Sequence, residues 1–112
     1  MKRAYAPAEA DDGVRILIDR LWPRGVSKAR AALDDWIKDL APSNALRTWF
    51  AHDPARWAEF QRRYRAELRD QPEALDRLRA LAGEQVVTLV YGARDEQHND
   101  AVVLRAVLLG ER

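Results

Sequence analysis

Residues 86–91, "VVTLVY", decide how this chain is read. The run carries no charge and is rich in β-branched residues. A strand buried on both faces has this composition, which predicts the centre of a partly parallel sheet. The other run of this kind is "VRILID", residues 14–19, which charge interrupts at Arg15 before the run ends on Asp19. The long stretch between the two reads as helical. That suits a crossover connection, right-handed by the general rule, and predicts two parallel strands with their carboxyl ends on one edge.

The remaining elements follow from spacing and punctuation. "KRAYAP", 2–7, reads as a short strand stopped by Pro7, although its link to the next strand is too short for a usual helical crossover. "AEADDG" is a loop closed by Gly13, and residues 20–29 form another, with Pro23 and Gly25. Leu33, Trp36, Ile37 and Leu40 stand at helical spacing and predict a helix over 31–40, ended by "APS". Ser43 is placed to cap a short helix that turns Leu46, Trp49 and Phe50 inward. Asp53 followed by Pro54 opens a helix to about Arg69, with Trp57, Phe60, Tyr64 and Leu68 on one stripe. Arg56, Arg62, Arg63 and Arg69 occupy its other face, a pattern more usual for a solvated face than for a nucleic-acid surface. Pro72 opens a further helix carrying Leu75, Leu78 and Leu81, ended at Gly83. Asn99 caps a last helix, "DAVVLRAVLL", apolar almost all round and so expected to be well buried.

The pattern predicts one three-layer α/β domain over residues 1–112. It would hold a short, mostly parallel sheet of about three strands and about five helices. Apolar residues make up 47% and charged residues 33%, too apolar for disorder. The net charge of +1 argues against nucleic-acid binding by bulk electrostatics. Sixteen of the nineteen basic residues are arginine, a bias that base composition alone can produce, so arginines at special positions carry the weight. The chain has no cysteine, hence no disulfide and no thiolate chemistry. The opening lacks the apolar core of a signal peptide, and no apolar run approaches membrane-spanning length. A cytoplasmic protein without membrane contact is the expectation.

If the two main strands are parallel neighbours, "DRLWPRG", 19–25, and "YGARDEQHN", 91–99, emerge side by side. Open α/β sheets bind ligands in that crevice. The candidate ligand-binding residues are Arg20, Trp22, Arg24, Tyr91, Arg94 and Asn99. The candidate proton carriers are Asp19 and His98, since histidine trades protons near neutrality. Arginines beside a helix start read as a pocket for phosphate, sulfate or carboxylate. Each residue has a structural reading too: Asp19 and Arg20 can close the sheet edge, Trp22 can pack, and His98 can hold a loop. His52 reads as a loop or packing residue. The two histidines have no metal-ligand spacing, so no metal is predicted. Neither serine stands in a nucleophile elbow, and there is no GxGxxG or P-loop, so a dinucleotide or NTP fingerprint is absent and the cofactor stays open.

"VRILIDRLWPRG", "LDDWIKDLAPS", "LRTWFAHDPARWAEFQRRYRAEL" and "VTLVYGARDEQHNDAVVL", in that order, resemble the YeaO-like branch of domain-of-unknown-function family 488 from about Lys2 to Leu109. The resemblance implies a small bacterial or archaeal cytosolic α/β protein and supplies no activity. Longer relatives in the wider family carry an Asp-x-Arg-like motif after the second strand and a Cys-His-Arg-like motif after the last. By that resemblance "DRLWPRG" is the former, and His98 stands for the histidine of the latter. Gln97 and Asn99 stand where the cysteine and arginine would be, so the wider family's chemistry does not carry over intact. Three classes stay open: an enzyme on a small anionic or nucleotide-like ligand, a non-catalytic binding or sensing module using the same crevice, and a protein or RNA interaction domain using the arginine helix.

Overall fold

The structure, a computed structural model, describes Met1–Glu111. Four parallel strands form one sheet in the order β1 (Lys2–Arg3), β4 (Val87–Tyr91), β2 (Val14–Leu17) and β3 (Asp35–Trp36). The two runs singled out for composition are indeed the central neighbours, with Val14 opposite Val87 and Leu17 opposite Val90. Both are covered on both faces, as their lack of polar alternation requires. Ile16, Ile18, Leu89 and Tyr91 point to one side, into a core with Phe50, Phe60, Tyr64, Leu68, Leu78 and Leu104. Leu17 and Val90 point to the other, against Ala4, Trp22, Leu33 and Trp36. The first side is the helical layer of α2 (Asn44–Phe50), α3 (Trp57–Arg69), α4 (Pro72–Glu84) and α5 (Asp100–Leu108). The second is a thin layer built from the short α1 (Lys28–Ala31) and the loops around it.

Three local expectations change. The strand expected over 2–7 is paired over Lys2–Arg3 alone. It lies beside β4 rather than β2, so the short link over residues 4–13 need not connect neighbouring strands. The helix expected over 31–40 does not form. α1 begins after Ser27, whose hydroxyl accepts from Arg30 N, and ends at Ala32 in the left-handed conformation (φ 47°). The chain then makes β3 and a 3₁₀ turn over Lys38–Leu40. The apolar residues of this stretch serve two cores: Leu33 and Trp36 pack on one face of the sheet, Ile37 and Leu40 on the other. The spacing mimicked a helical stripe because the segment wraps the sheet edge. A fourth, two-residue strand is the result.

Arg15 is the charge inside the strand, and it is 3% exposed. Its Nη1 lies 2.6 Å from Asp12 Oδ2, while Nε and Nη2 both donate to the carbonyl of Ala31. Asp12 also takes Lys2 Nζ at 3.0 Å, and its own carbonyl accepts from the hydroxyl of Thr88. This network closes the amino ends of the strands. Gly13 makes it possible: φ is 64°, and a Cβ there would come within 2.3 Å of the Val86 carbonyl oxygen.

The other helix boundaries follow their caps. Ser43, Asp53 and Asn99 each accept a backbone N–H at the expected starts. Pro54–Arg56 is a 3₁₀ turn that runs into α3, and Phe60, Tyr64 and Leu68 are buried as the stripe predicts. Among the described residues, no helix is long and apolar enough to cross a membrane.

Candidate functional site

β2 and β4 end side by side, and beyond their carboxyl ends lies a cleft of about 210 Å³. Each neighbouring element contributes to it. The loop after β2 brings Asp19, Arg20 and Trp22; the end of β4 brings Gly92 and Ala93. Arg47 and Phe50 come from α2, Phe60 from α3, and Asn99 and Asp100 from the start of α5. His52 reaches it from the turn after α2, where Ala51 (φ 48°) and His52 (φ 55°) are consecutive left-handed residues. A non-glycine residue held in this region costs on the order of 1–3 kcal/mol, so the surrounding packing must hold the turn.

The acidic groups are held at close range. Asp19 Oδ2 accepts from Gly92 N at 2.8 Å, and a Cβ at position 92 would stand 3.1 Å from that oxygen. Asp100, the first residue of α5, lines the cleft with Asp19. Burial, followed by the charge of Asp19, pushes the Asp100 carboxyl well above the usual carboxylate range. Arg20 donates through Nε to the carbonyl of Pro42 at 3.1 Å. Trp22 donates through Nε1 to Val26 O at 2.7 Å and meets the ring of Trp36 edge-on. Phe50 and Phe60 stack at 4.2 Å between centroids and form an apolar wall.

Of the residues expected at the site, Asp19, Arg20, Trp22 and Asn99 line the cleft. Asn99 is engaged as a cap: Oδ1 accepts from Val102 N, and Nδ2 donates to the carbonyl of Asp95. Arg24, Tyr91, Arg94 and His98 do not line it. Arg24 and Arg94 are exposed. Tyr91 is 3% exposed and belongs to the helical-face core, where burial raises its phenol. His98 is tied down elsewhere. Its Nδ1 lies 2.8 Å from Asp95 Oδ2, its backbone N–H donates to Oδ1 of the same carboxylate, and Trp57 meets its ring edge-on at 5.1 Å. The backbone N–H of Gln97, then His98, hold the Asp95 carboxyl below its ordinary value.

The residues the sequence reading passed over are Arg47, Phe50, Phe60 and Asp100, with His52 assigned to a loop. Asp100 had a signal, since it is the first residue of a helix whose cap was identified and whose start faces the crevice. Arg47 and His52 had none. Their place depends on how α2 lies across the sheet end.

Comparison with known proteins places the chain among related sequences. The model of the family described as "Inactive DUF488-N3 subclade" matches residues 1–112. The chain is 46% identical over 103 residues to the uncharacterized protein YeaO of Escherichia coli K12, covering 92% of this chain and 90% of that one. It is 44% identical over 108 residues to the uncharacterized protein Rv3073c of Mycobacterium tuberculosis H37Rv, covering 96% and 91%. The same figures hold for the uncharacterized protein Mb3100c of Mycobacterium bovis. No solved structure matches significantly.

Proposed function

The chain belongs to the family described as the inactive DUF488-N3 subclade, and from that premise we propose that it is a non-catalytic binding domain for a small anionic ligand with a nucleotide-like planar body. The cleft at the carboxyl ends of β2 and β4 is the binding site. The observation that carries the reading is the separation of Asp19 from His98. Asp19 lines the cleft, while His98 is clasped by Asp95 and Trp57 outside it. General acid–base catalysis needs its groups within hydrogen-bond reach of one substrate. These two do not share a cavity. The description of the subclade as inactive agrees.

Binding has better support. Arg20 and Arg47 supply cationic donors at the cleft, and Trp22, Phe50 and Phe60 supply ring surface for a planar group. Few precisely placed polar groups on an apolar wall are the usual make-up of a small-molecule site. The arginine face of α3 offers less to RNA. Arg62 and Arg63 both bind Glu59, at 2.6 and 2.8 Å, and Arg56 and Arg63 lie over the ring of Trp49. A cysteine-free chain suits a reducing cytosol.

The test is thermal-shift screening with inorganic phosphate and nucleoside monophosphates, followed by calorimetry on the best probe. Arg20→Ala and Arg47→Ala should each weaken binding about ten- to a hundredfold, the worth of one charged hydrogen bond. If no anion raises the melting temperature, or both variants bind as the parent does, the reading fails.

A further inference from the structure

We propose that the planar body held in this cleft is one base of a single-stranded nucleic acid, and that the strand runs on from the cleft over a rim of four arginines beside Tyr5. This rests on the reading of the cleft as a binding site and names the class of molecule it binds.

The size of the cleft points outward. A cavity of about 150 Å³ holds one benzene ring, and sites for drug-sized ligands begin at about 300 Å³. At about 210 Å³ the cleft takes a base-sized ring against Trp22, Phe50 and Phe60. The sugar and phosphate of a seated nucleotide then lie at its mouth.

The mouth is where cations gather. Pro23 and Ala93 line the cleft, and each is followed by an exposed arginine, Arg24 and Arg94. Two more arginines are tied to the same place. Arg3 donates through Nε to the carbonyl of Ala93 at 2.9 Å, and its guanidinium lies 5.3 Å from the centre of the Tyr5 ring. Tyr5 donates its hydroxyl to the carbonyl of Arg24 at 3.0 Å, and its own carbonyl accepts from Arg30 Nη2 at 3.0 Å. Four segments therefore meet here: β1, the loop after β2, α1 and the loop after β4.

The bonds that place these arginines leave their charge unspent, because the partners are carbonyls. Among the described residues none of the four makes a salt bridge. Other exposed arginines also lack a carboxylate; these four are set apart by lying together beside an aromatic ring and a cleft. Asp95, next after Arg94, is turned into its own loop, where it accepts from the backbone N–H groups of Gln97 and His98. Glu96 is the exposed acid of that loop, set against four arginines.

A single strand needs cations along its path and flat surfaces for its bases, and guanidinium groups beside a tyrosine ring provide both. The bases must be unpaired, since a base inside a duplex cannot enter a cleft. An acidic peptide would use the cations and leave the ring-lined cleft empty. The net charge of +1 gives little attraction from the molecule as a whole, so the affinity has to come from this rim.

The experiment uses the full chain, a labelled oligothymidylate of about twelve residues and thymidine 5′-monophosphate. Binding is followed by fluorescence anisotropy for the oligomer and by calorimetry for the mononucleotide. The oligomer should bind at least about tenfold more tightly than the mononucleotide. With about three or four phosphates contacted, its affinity should fall roughly twenty- to fiftyfold between about 50 and 200 mM salt. An abasic oligomer of the same length and charge should bind about tenfold more weakly, because it has no ring for the cleft. The double variant Arg24→Glu, Arg94→Glu should weaken the oligomer about tenfold or more and leave the mononucleotide unchanged. Among the described residues neither side chain makes a hydrogen bond or salt bridge, and circular dichroism checks the fold. The charge-matched variant Arg62→Glu, Arg63→Glu on α3 should stay within about threefold of the parent. Equal loss in both double variants overturns the rim, since bulk charge then accounts for the binding. An oligomer no tighter than the mononucleotide overturns the strand and leaves the cleft standing as a small-molecule site. Equal binding by the abasic oligomer or by polyglutamate overturns the nucleic-acid assignment. If the oligomer, the mononucleotide and inorganic phosphate all fail to bind, the reading of the cleft falls and takes this inference with it.

Discussion

The two ends of the sheet treat the same residue type in opposite ways. At the amino ends of the strands, Asp12 is met by Lys2 at 3.0 Å and Arg15 at 2.6 Å, and its Oδ2 takes the backbone N–H of Glu9. That backbone bond first, then Lys2 and Arg15, lower its carboxyl to about 2. At the carboxyl ends, burial and Asp19 raise the carboxyl of Asp100. One acid is stabilised as an anion and the other as an acid. The difference teaches where the fold has closed its electrostatics and where it has left them open. Natural chains satisfy local rules nearly everywhere and break them at sites of function.

The comparison is broken most severely at the closed end. Arg15→Ala leaves Asp12 without its nearest buried cation and removes both donors from the carbonyl of Ala31. Breaking one partner of such a pair costs about 3–5 kcal/mol, a large share of the stability of a small domain. Urea unfolding should show the free energy of unfolding lowered by that amount, with the midpoint shifted down by that loss divided by the m-value. A loss under about 1 kcal/mol would mean that the network does not hold the sheet end.

Asp100→Asn should act in the opposite direction. A carboxyl whose folded value is raised binds its proton more tightly in the folded state. It costs nothing below the ordinary carboxyl range, and its penalty grows as pH rises above about 4 toward the raised value. The asparagine removes that penalty and should stabilise the ligand-free domain by roughly 0.5–2 kcal/mol near neutral pH, with little gain near pH 4. Asp12 supplies the mirror image. Its lowered value means a contribution that is present above its ordinary 3.8 and lost as pH falls through about 2. Urea midpoints measured across this range on the parent and on Asp100→Asn separate the two. A variant less stable at neutral pH would show that the Asp19–Asp100 pair is a structural clasp.

The smallest effect is expected at His98, which lies outside the contrast. His98→Gln removes the edge-on contact with Trp57 and the bond to Asp95 Oδ2. It should lower stability by about 0.5–1.5 kcal/mol and change the affinity of the best cleft probe less than about threefold. A larger loss of affinity, read from the calorimetry used for the arginine variants, would return His98 to the site.

The sequence made the central strands legible because burial on both faces leaves an unmistakable composition, and "VVTLVY" and "VRILID" are neighbours for that reason. Caps were legible because Ser43, Asp53 and Asn99 act within their own turn. The 31–40 segment was not, because Leu33 and Trp36 serve one core while Ile37 and Leu40 serve the other, and periodicity cannot separate two cores from one stripe. At the site the same division holds. Asp19, Arg20 and Trp22 follow a strand whose end was found, and they line the cleft beyond it. Tyr91 was misplaced because the last residue of a strand still alternates, and its side faces the helices. Arg24, Arg94 and His98 were assigned by loop membership, although a loop sends its side chains in several directions. Arg47 and Phe50 arrive on α2, whose path across the sheet end no local rule encodes.

The outer strands are two residues long on either side, Lys2–Arg3 and Asp35–Trp36. An exposed edge is a template for another chain, and its danger grows with the length of backbone it leaves unpaired. A visiting strand laid against either edge of this sheet would find a rung or two of ladder. It would also meet charge: Arg3 on one side, and on the other Asp35 and the ammonium of Lys38 seated 4.1 Å from the ring of Trp36. The adhesive length of the sheet therefore lies in β2 and β4, where it is already occupied. A chain built this way can be crowded without its sheets growing into one another, and that resistance comes from the brevity of its edges.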